Sequence, residues 1–244
     1  MGKLIFKKPE SMTDAVMHYC PGCGHGIIHR LICEVIDELR LREKVIAVAP
    51  VGCAVIAYDY WDFDVSEAAH GRTPAVATGI KRVLPGRIVF TYQGDGDLAA
   101  IGTSEIIHAA NRGENITVIF VNNGIYGMTG GQMAPTTIVG QKTQTTKKGR
   151  IVKRDGFPLK ISEMIALLEG ARFIERTSVH APKEILKTKK AIKRAFETQI
   201  KNEGFSMVEI LSMCPIYWGL PSVEACKRIE KEVIKTYPLG IIKG

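Results

Sequence analysis

No stretch of this 244-residue sequence approaches the roughly 18 consecutive apolar residues that a membrane-spanning helix needs, so no membrane span is expected. The opening segment, MGKLIFKKPESMTDAV, has neither the apolar centre nor the small-residue cleavage pattern of a secretory signal, and a soluble, cytoplasmic protein is expected. Internal repeats and low-complexity tracts are missing too, as is any linker that would divide the chain. One domain over residues 1–244 is therefore expected, with 1–17 as an N-terminal arm. Nor is the positive charge concentrated. The net charge is +8, but the basic residues fall in separate groups such as Lys147-Lys148, Lys187 to Lys190 and Lys193-Arg194. That distribution favours solvated helix faces over a nucleic-acid-binding surface, although a basic face can steer an acidic protein partner. With 45% hydrophobic and 24% charged residues the chain is ordinary in composition, which argues against global disorder.

What the chain does have is concentrated between Arg87 and Gln132. Val89, Phe90 and Tyr92 lie in a short run of β-formers, and Ile116 to Val121 make a second. Between them Leu98, Ile101, Ile106 and Ala109 recur at roughly helical spacing, and Gly113 stands where a helix would stop. This is a strand–helix–strand unit. It predicts an α/β fold with a mostly parallel sheet and helices on both faces, and ligands in such sheets bind beyond the carboxyl ends of the strands. Gly94-Asp95-Gly96 sits at the first strand end and Asn122-Asn123-Gly124 at the second.

Gly94-x-Gly96-x-x-Ala99 also matches a dinucleotide fingerprint, but that fingerprint expects an acidic residue at the end of the next strand, where this chain has Asn122 and Asn123. It would also set the Asp95 carboxylate against a pyrophosphate. A divalent cation between the two removes the repulsion, and Mg²⁺ commonly takes one or two carboxylates together with phosphate oxygens. Asp95, the side-chain oxygen of Asn123 and a nearby backbone carbonyl can supply the protein's share. A calcium loop fits less well, because Asp95 and Asp97 are followed by Ala99 and Ala100 where further ligands belong.

A second group of residues is rich in sulfur. Cys20 and Cys23 form a CxxC with a Pro-Gly interior, Cys53 follows the strand expected over Val45 to Ala49, and Cys214 follows one expected over Phe205 to Leu211. On the residues alone a redox dithiol, a zinc site, an iron–sulfur site and four buried bystanders all stay open. Cys33 and Cys226 fall inside expected helices and read as packed residues.

The run GDGDLAAIG followed by NNGIYGMTGGQ resembles the β subunit of 2-oxoacid:ferredoxin oxidoreductases, a family of thiamine-diphosphate enzymes. The match extends from about residue 18 to 240, through the N-terminal CPGCG, the Gly-Cys after the next strand, the His70-Gly71-Arg72 triplet and the Cys-Pro near the C-terminal end. The resemblance implies the diphosphate-type fold of thiamine-diphosphate-binding domains. It implies that Asp95, Asn123 and the carbonyl of Ile125 ligate Mg²⁺, that Gly94, Gly96 and Asp97 lie around the diphosphate, and that Asn122, Tyr126 and Thr129 line the site. It implies that Cys20, Cys23, Cys53 and Cys214 hold one [4Fe–4S] cluster, and that His70 approaches the diphosphate or the reacting carbon. The implied reaction is CoA-dependent oxidative decarboxylation of a 2-oxo acid, 2-oxoglutarate or a branched-chain acid such as 2-oxoisovalerate, with electrons passing to ferredoxin. The implied partners are an alpha subunit carrying the pyrimidine-binding domain, further small subunits and ferredoxin, so the lone chain is expected to be inactive. Ile56 falls where some 2-oxoglutarate-type members carry a basic residue, which weakens that substrate. A non-redox thiamine enzyme and a zinc-stabilised binding module are the competing readings.

The remaining segments are read from their patterns. Helices are expected over about 26–40, 75–83, 161–168, 183–200 and 223–235, and a further strand over 172–177. The aromatic-acidic run Tyr58 to Asp64 reads as packing or subunit contact. Residues 133–158 show little periodicity and suggest a flap over the site or a strap onto another subunit.

Overall fold

A computed structural model describes residues 7–244. Its strands are β1 (Val45–Ala49), β2 (Asp64–Glu67), β3 (Ile88–Gly94), β4 (Thr117–Asn122), β5 (Ile125–Tyr126), β6 (Gln132–Met133), β7 (Ala171–Ser178), β8 (Phe205–Leu211) and β9 (Gly240–Lys243). Seven of them form one sheet in the order β2-β1-β3-β4-β8-β7-β9. All pairings in it are parallel except β7 with β9. β5 and β6 make a separate two-stranded hairpin.

The helices are α1 (His25–Glu38), α2 (Thr73–Val83), α3 (Thr103–Asn111), α4 (Val152–Asp155), α5 (Ile161–Ala166), α6 (Pro182–Ile200), α7 (Pro215–Trp218), α8 (Ser222–Arg228) and α9 (Ile234–Thr236). Phe90, Tyr92, Ile119 and Ile210 point to a core shared with α1 and α6. Their neighbours Val89, Val118 and Phe120 point to a second core with α2, α3 and α5. Burial of both faces explains why β3, β4 and β8 read as continuous apolar runs with no alternation.

One departure inside the expected strand–helix–strand unit has a clear cause. The helix does not run unbroken from Asp97: a π-turn over Asp97–Ile101 precedes α3. The wider turn shifts the phase, so Leu98, Ile106 and Ala109 are buried while Ile101 is 49% exposed. Gly113, with φ of +64°, lies just past the helix end as expected. The helix expected over 223–235 is likewise interrupted by a π-turn at Ile229–Val233. Three elements had no periodic signal strong enough to anticipate: the edge strands β2 and β9 and the β5–β6 hairpin.

Of the arm, residues 1–6 lie outside the described residues. The rest is docked: the backbone N–H groups of Glu10 and Ser11 donate to Asp37 on α1, and Met12 bridges to Trp61. Residues 133–158 pack beside the site, where the Thr136 hydroxyl reaches Asp95. Arg150, 4% exposed, donates to the carbonyls of Pro135, Thr137, Gly156 and Phe157 and stitches the segment into a fixed wall. The basic helix α6 is largely paired: Lys189 bridges Glu34 and Glu38 at 2.7 Å each, and Lys193 reaches Glu38. Among the described residues no helix is long and apolar enough to cross a membrane.

Candidate active site

Because β1, β3, β4 and β8 run parallel, their carboxyl ends open on one edge of the sheet. After β1 the chain turns outward to β2, and β3 lies on β1's other side, which makes this edge the switch point where ligands bind in open α/β sheets. A cavity of about 330 Å³ lies there, between Pro50–Ala54 after β1, His70, Gly94–Asp97 after β3, and Asn123 and Ile125–Thr129 after β4.

Asp95 is 3% exposed. Its Oδ2 accepts from the Thr136 hydroxyl at 2.7 Å and its Oδ1 from the Gly96 N–H at 2.9 Å, and the backbone N–H groups of Gly124 and Ile125 lie near it. Burial pushes its carboxyl up to about 6, and these hydrogen bonds offset only part of that. Among the described residues no lysine or arginine is one of its partners. A buried carboxylate that lines a cavity and has no cation of its own suits a metal ion.

The two asparagines part ways. Asn123 lines the cavity, and its Oδ1 accepts from the Ile125 N–H at 3.1 Å, which leaves the oxygen a second lone pair. Asn122, expected to line the site, turns inward instead. Its side-chain amide donates to Glu209 on β8 at 2.7 Å, and Glu209 is held by Ser162 and by Arg176. This inward pull follows from strand alternation, since successive residues at the end of β4 face opposite sides.

Asp97 lines the same cavity, but its carboxylate is taken up by the protein. Oδ1 accepts from His70 Nδ1 (2.7 Å), Gly71 N–H (2.9 Å) and Val51 N–H (3.3 Å), and Oδ2 from Gln93 (2.7 Å) and Thr73 (3.2 Å). It therefore ties together the loop after β1, the His-Gly-Arg turn and β3. With Nδ1 committed to Asp97, His70 keeps Nε2 free of that bond, and the ring lines the cavity. Arg72 pairs with Glu105 on α3 and stays out of the site. Tyr126 covers Gly96, where a Cβ would meet the ring at 2.2 Å, so only glycine fits. Thr129 lines the rim and bonds Gln132, closing the hairpin.

A second cavity of about 240 Å³ adjoins the first, and all four expected cysteines line it: Cys20, Cys23, Cys53 and Cys214. Burial pushes the Cys53 thiol up to about 11 and the Cys214 thiol up to about 12, with the neighbouring cysteines adding to both shifts. Backbone N–H groups are aimed at the sulfurs: His25 and Gly24 on Cys23, Met128 on Cys53 and Tyr217 on Cys214. Among the described residues no three His, Cys, Asp or Glu side chains are drawn together as the ligands of one ion. The thiols instead stand round the wall of a cavity. Cys33 is buried with its thiol on the Ser11 carbonyl, and Cys226 is half-buried away from the site.

Several contributors carried no sequence signal. Thr136, which holds Asp95, lies in the segment without periodicity. His25 lines both cavities, with Nδ1 on the Tyr92 hydroxyl at 2.6 Å, and burial lowers its pKa to about 4, so it is a neutral ring in the dividing wall. Ile56 is partly buried against the core near α1.

Comparison with known proteins adds independent findings. The family described as thiamine pyrophosphate enzyme, C-terminal TPP binding domain, matches residues 51–210. The chain is 47% identical over 98% of its length to ketoisovalerate oxidoreductase subunit VorA of Methanothermobacter thermautotrophicus, covering 52% of that protein. It is 38% identical over 84% of its length to 2-oxoglutarate synthase subunit KorB of Methanocaldococcus jannaschii, covering 73% of it. The chain thus spans about half the length of the ketoisovalerate relative. Among solved structures, the 2-oxoglutarate:ferredoxin oxidoreductase of Magnetococcus marinus superposes with a TM-score of 0.76 at 28% identity, over 87% of this chain and 69% of that one. A thiamine diphosphate-dependent 4-hydroxybenzoylformate decarboxylase from Rhodococcus jostii shares the fold, at a TM-score of 0.52 and 16% identity, over 84% of this chain and 35% of that one.

Proposed function

We propose, since this chain belongs to the thiamine-pyrophosphate enzymes and among them to the 2-oxoacid:ferredoxin oxidoreductase subunits, that it holds the diphosphate half of thiamine diphosphate through Mg²⁺ and carries a [4Fe–4S] cluster beside it. The observation that carries this reading is the shared wall: a buried carboxylate without a cation and four thiols line two adjoining cavities at one sheet edge. In this reading Asp95, Asn123 and the Ile125 carbonyl ligate Mg²⁺, and Gly94 and Gly96 flank the diphosphate. Tyr126 and Thr129 line its approach. Asn122 and Asp97 act from behind, as supports of the Asn123 turn and of His70. Thiamine diphosphate supplies the site for cleaving the bond between a 2-oxo acid's carbonyl and carboxylate carbons.

The chain's own residues set the conditions for that chemistry. Asp97 holds the Nδ1 of His70, whose ring lines the cavity, and in this reading Nε2 accepts or returns a proton. The His70→Ala variant should lower kcat by roughly 10²–10⁴-fold while Mg²⁺–thiamine diphosphate still binds; unchanged turnover would remove His70 from the mechanism. Cys20, Cys23, Cys53 and Cys214 would hold the cluster. A single zinc ion sets its four sulfurs roughly 3.8 Å apart, from a Zn–S bond of about 2.3 Å, and thiols spread round a cavity suit a larger group. A non-redox thiamine enzyme has no use for those thiols.

The substrate we assign is a branched-chain 2-oxo acid of the 2-oxoisovalerate kind, converted with CoA to the acyl-CoA and CO₂, with electrons leaving to ferredoxin. Among the described residues no lysine or arginine lines the cavity, so nothing there pairs the second carboxylate of 2-oxoglutarate. The catalytic unit includes an alpha subunit with the pyrimidine-binding domain, and further small subunits. Six free cysteines suit the reducing cytoplasm. Rates of the reconstituted complex against a panel of 2-oxo acids test this. Branched-chain acids should exceed 2-oxoglutarate by at least about tenfold, the scale of a 1.4 kcal/mol difference, and the lone chain should show no turnover. A preference for 2-oxoglutarate, or turnover by the lone chain, would overturn the assignment.

A further inference from the structure

The wall between the two cavities is built largely from one turn. Asn123, Gly127 and Met128 line both of them, together with His25 and Cys53. At its start the turn carries Asn123 and Ile125. Five residues on from Asn123, the Met128 N–H is directed at the Cys53 sulfur. Between them Gly127 passes so close to the thiols that a Cβ there would stand 3.0 Å from Cys53 Sγ and 3.8 Å from Cys214 Sγ. Its φ is not in the left-handed region, so it is space, and not backbone freedom, that calls for glycine.

The turn is also stiff. The Trp218 indole N–H donates to the Asn123 carbonyl at 3.1 Å, and the Asn123 side chain accepts from Ile125. Gly131 N–H closes on the Tyr126 carbonyl at 2.8 Å, and Ile125 and Tyr126 pair with Met133 and Gln132. A segment pinned this way keeps its place, so an added side chain displaces the sulfur beside it and not the turn.

We propose that Gly127 is a positioning residue, its missing side chain letting one rigid turn hold the diphosphate metal at its start and the Met128 N–H on a cluster thiolate at its end. The inference rests on the proposed function above and goes beyond it. An N–H donor to a cluster sulfur stabilises the reduced, more negative state and raises its potential. An added methyl at 127 forces the Cys53 sulfur to give way by a few tenths of an ångström. The hydrogen bond then lengthens.

The test uses the full complex purified without oxygen. Gly127→Ala should keep its iron and sulfide and bind Mg²⁺–thiamine diphosphate with wild-type affinity, and the cluster's midpoint, followed by electron paramagnetic resonance, should move to more negative values. A variant with the cluster intact and the midpoint unmoved overturns the inference. The wild type gives an independent reading that needs no loss of packing. Grown on ¹⁵N-methionine, its reduced cluster should show a hyperfine coupling to nitrogen that disappears in Met128→Leu. An intact cluster without that coupling, or one in which it survives in Met128→Leu, also overturns it. Wild-type complex without iron and sulfide would sink the parent reading itself, which separates the two failures.

Discussion

Asp95→Asn should abolish binding of Mg²⁺–thiamine diphosphate, with affinity falling by at least about 100-fold, roughly the 3 kcal/mol lost when one partner of a buried charged pair is removed. The same variant should be as stable as the wild type without cofactor, or more so. The exchange keeps the size of the side chain, and it replaces a carboxylate whose charged form burial disfavours by a neutral amide. Binding and stability thus move in opposite directions, which a residue of purely structural importance would not produce. Titration calorimetry with the metal and cofactor, together with thermal unfolding of the cofactor-free protein, reads both. Unimpaired binding would move the metal away from Asp95. A sharp fall in stability would recast Asp95 as a structural carboxylate.

Arg176→Met should destabilise the fold by about 3–5 kcal/mol, which for a chain of this length corresponds to a fall in Tm of roughly 6–20 °C. Arg176 is 2% exposed on β7 and Glu209 is 1% exposed on β8. The guanidinium spans two carboxylates, donating to Glu209 at 2.8 Å and to Glu163 at 2.6 and 2.9 Å. Without it Glu209 keeps only the neutral donors Ser162 and Asn122. The pair Arg176→Met with Glu209→Gln should recover part of the loss, because the buried charge goes with its partner. Denaturant midpoints of the single and double variants measure this. A loss below about 1 kcal/mol in the single variant would place the pair in the class of weak, solvated bridges. Glu209 also holds Asn122, the residue before Asn123, so the single variant should loosen the turn after β4 as well as the sheet.

These two sites differ in how far the residues alone foretell them. GDG, the paired asparagines, Cys53 and Cys214 are short signals at strand ends that apolar runs mark clearly, and Cys20 and Cys23 are marked by their own CxxC spacing ahead of α1. The strands β1, β3, β4 and β8 were legible because burial on both faces leaves unbroken runs of β-formers. The edge strands were not, because an edge strand half-open to solvent carries no such run. Arg176 and Glu209 read as ordinary charges within strands. Nothing in a linear sequence tells that one carboxylate will find a guanidinium across a parallel pair.

What the order of residues determined, then, is which chemical groups the chain possesses and that they close parallel strands, since propensity and short motifs are local properties. Which way each group faces was decided by the folded sheet. Alternation turned Asn122 inward while Asn123 faces the cavity. The π-turn from Asp97 swung Ile101 to the surface, and five donors from three segments make Asp97 a brace at the cavity wall. The closeness of the thiols to the turn after β4 is likewise a product of strand order: β1, β4 and β8 bring Cys53, Gly127 and Cys214 from distant parts of the chain to one edge. Distances of that kind arise from packing two cores against a single twisted sheet, and no spacing along the chain encodes them.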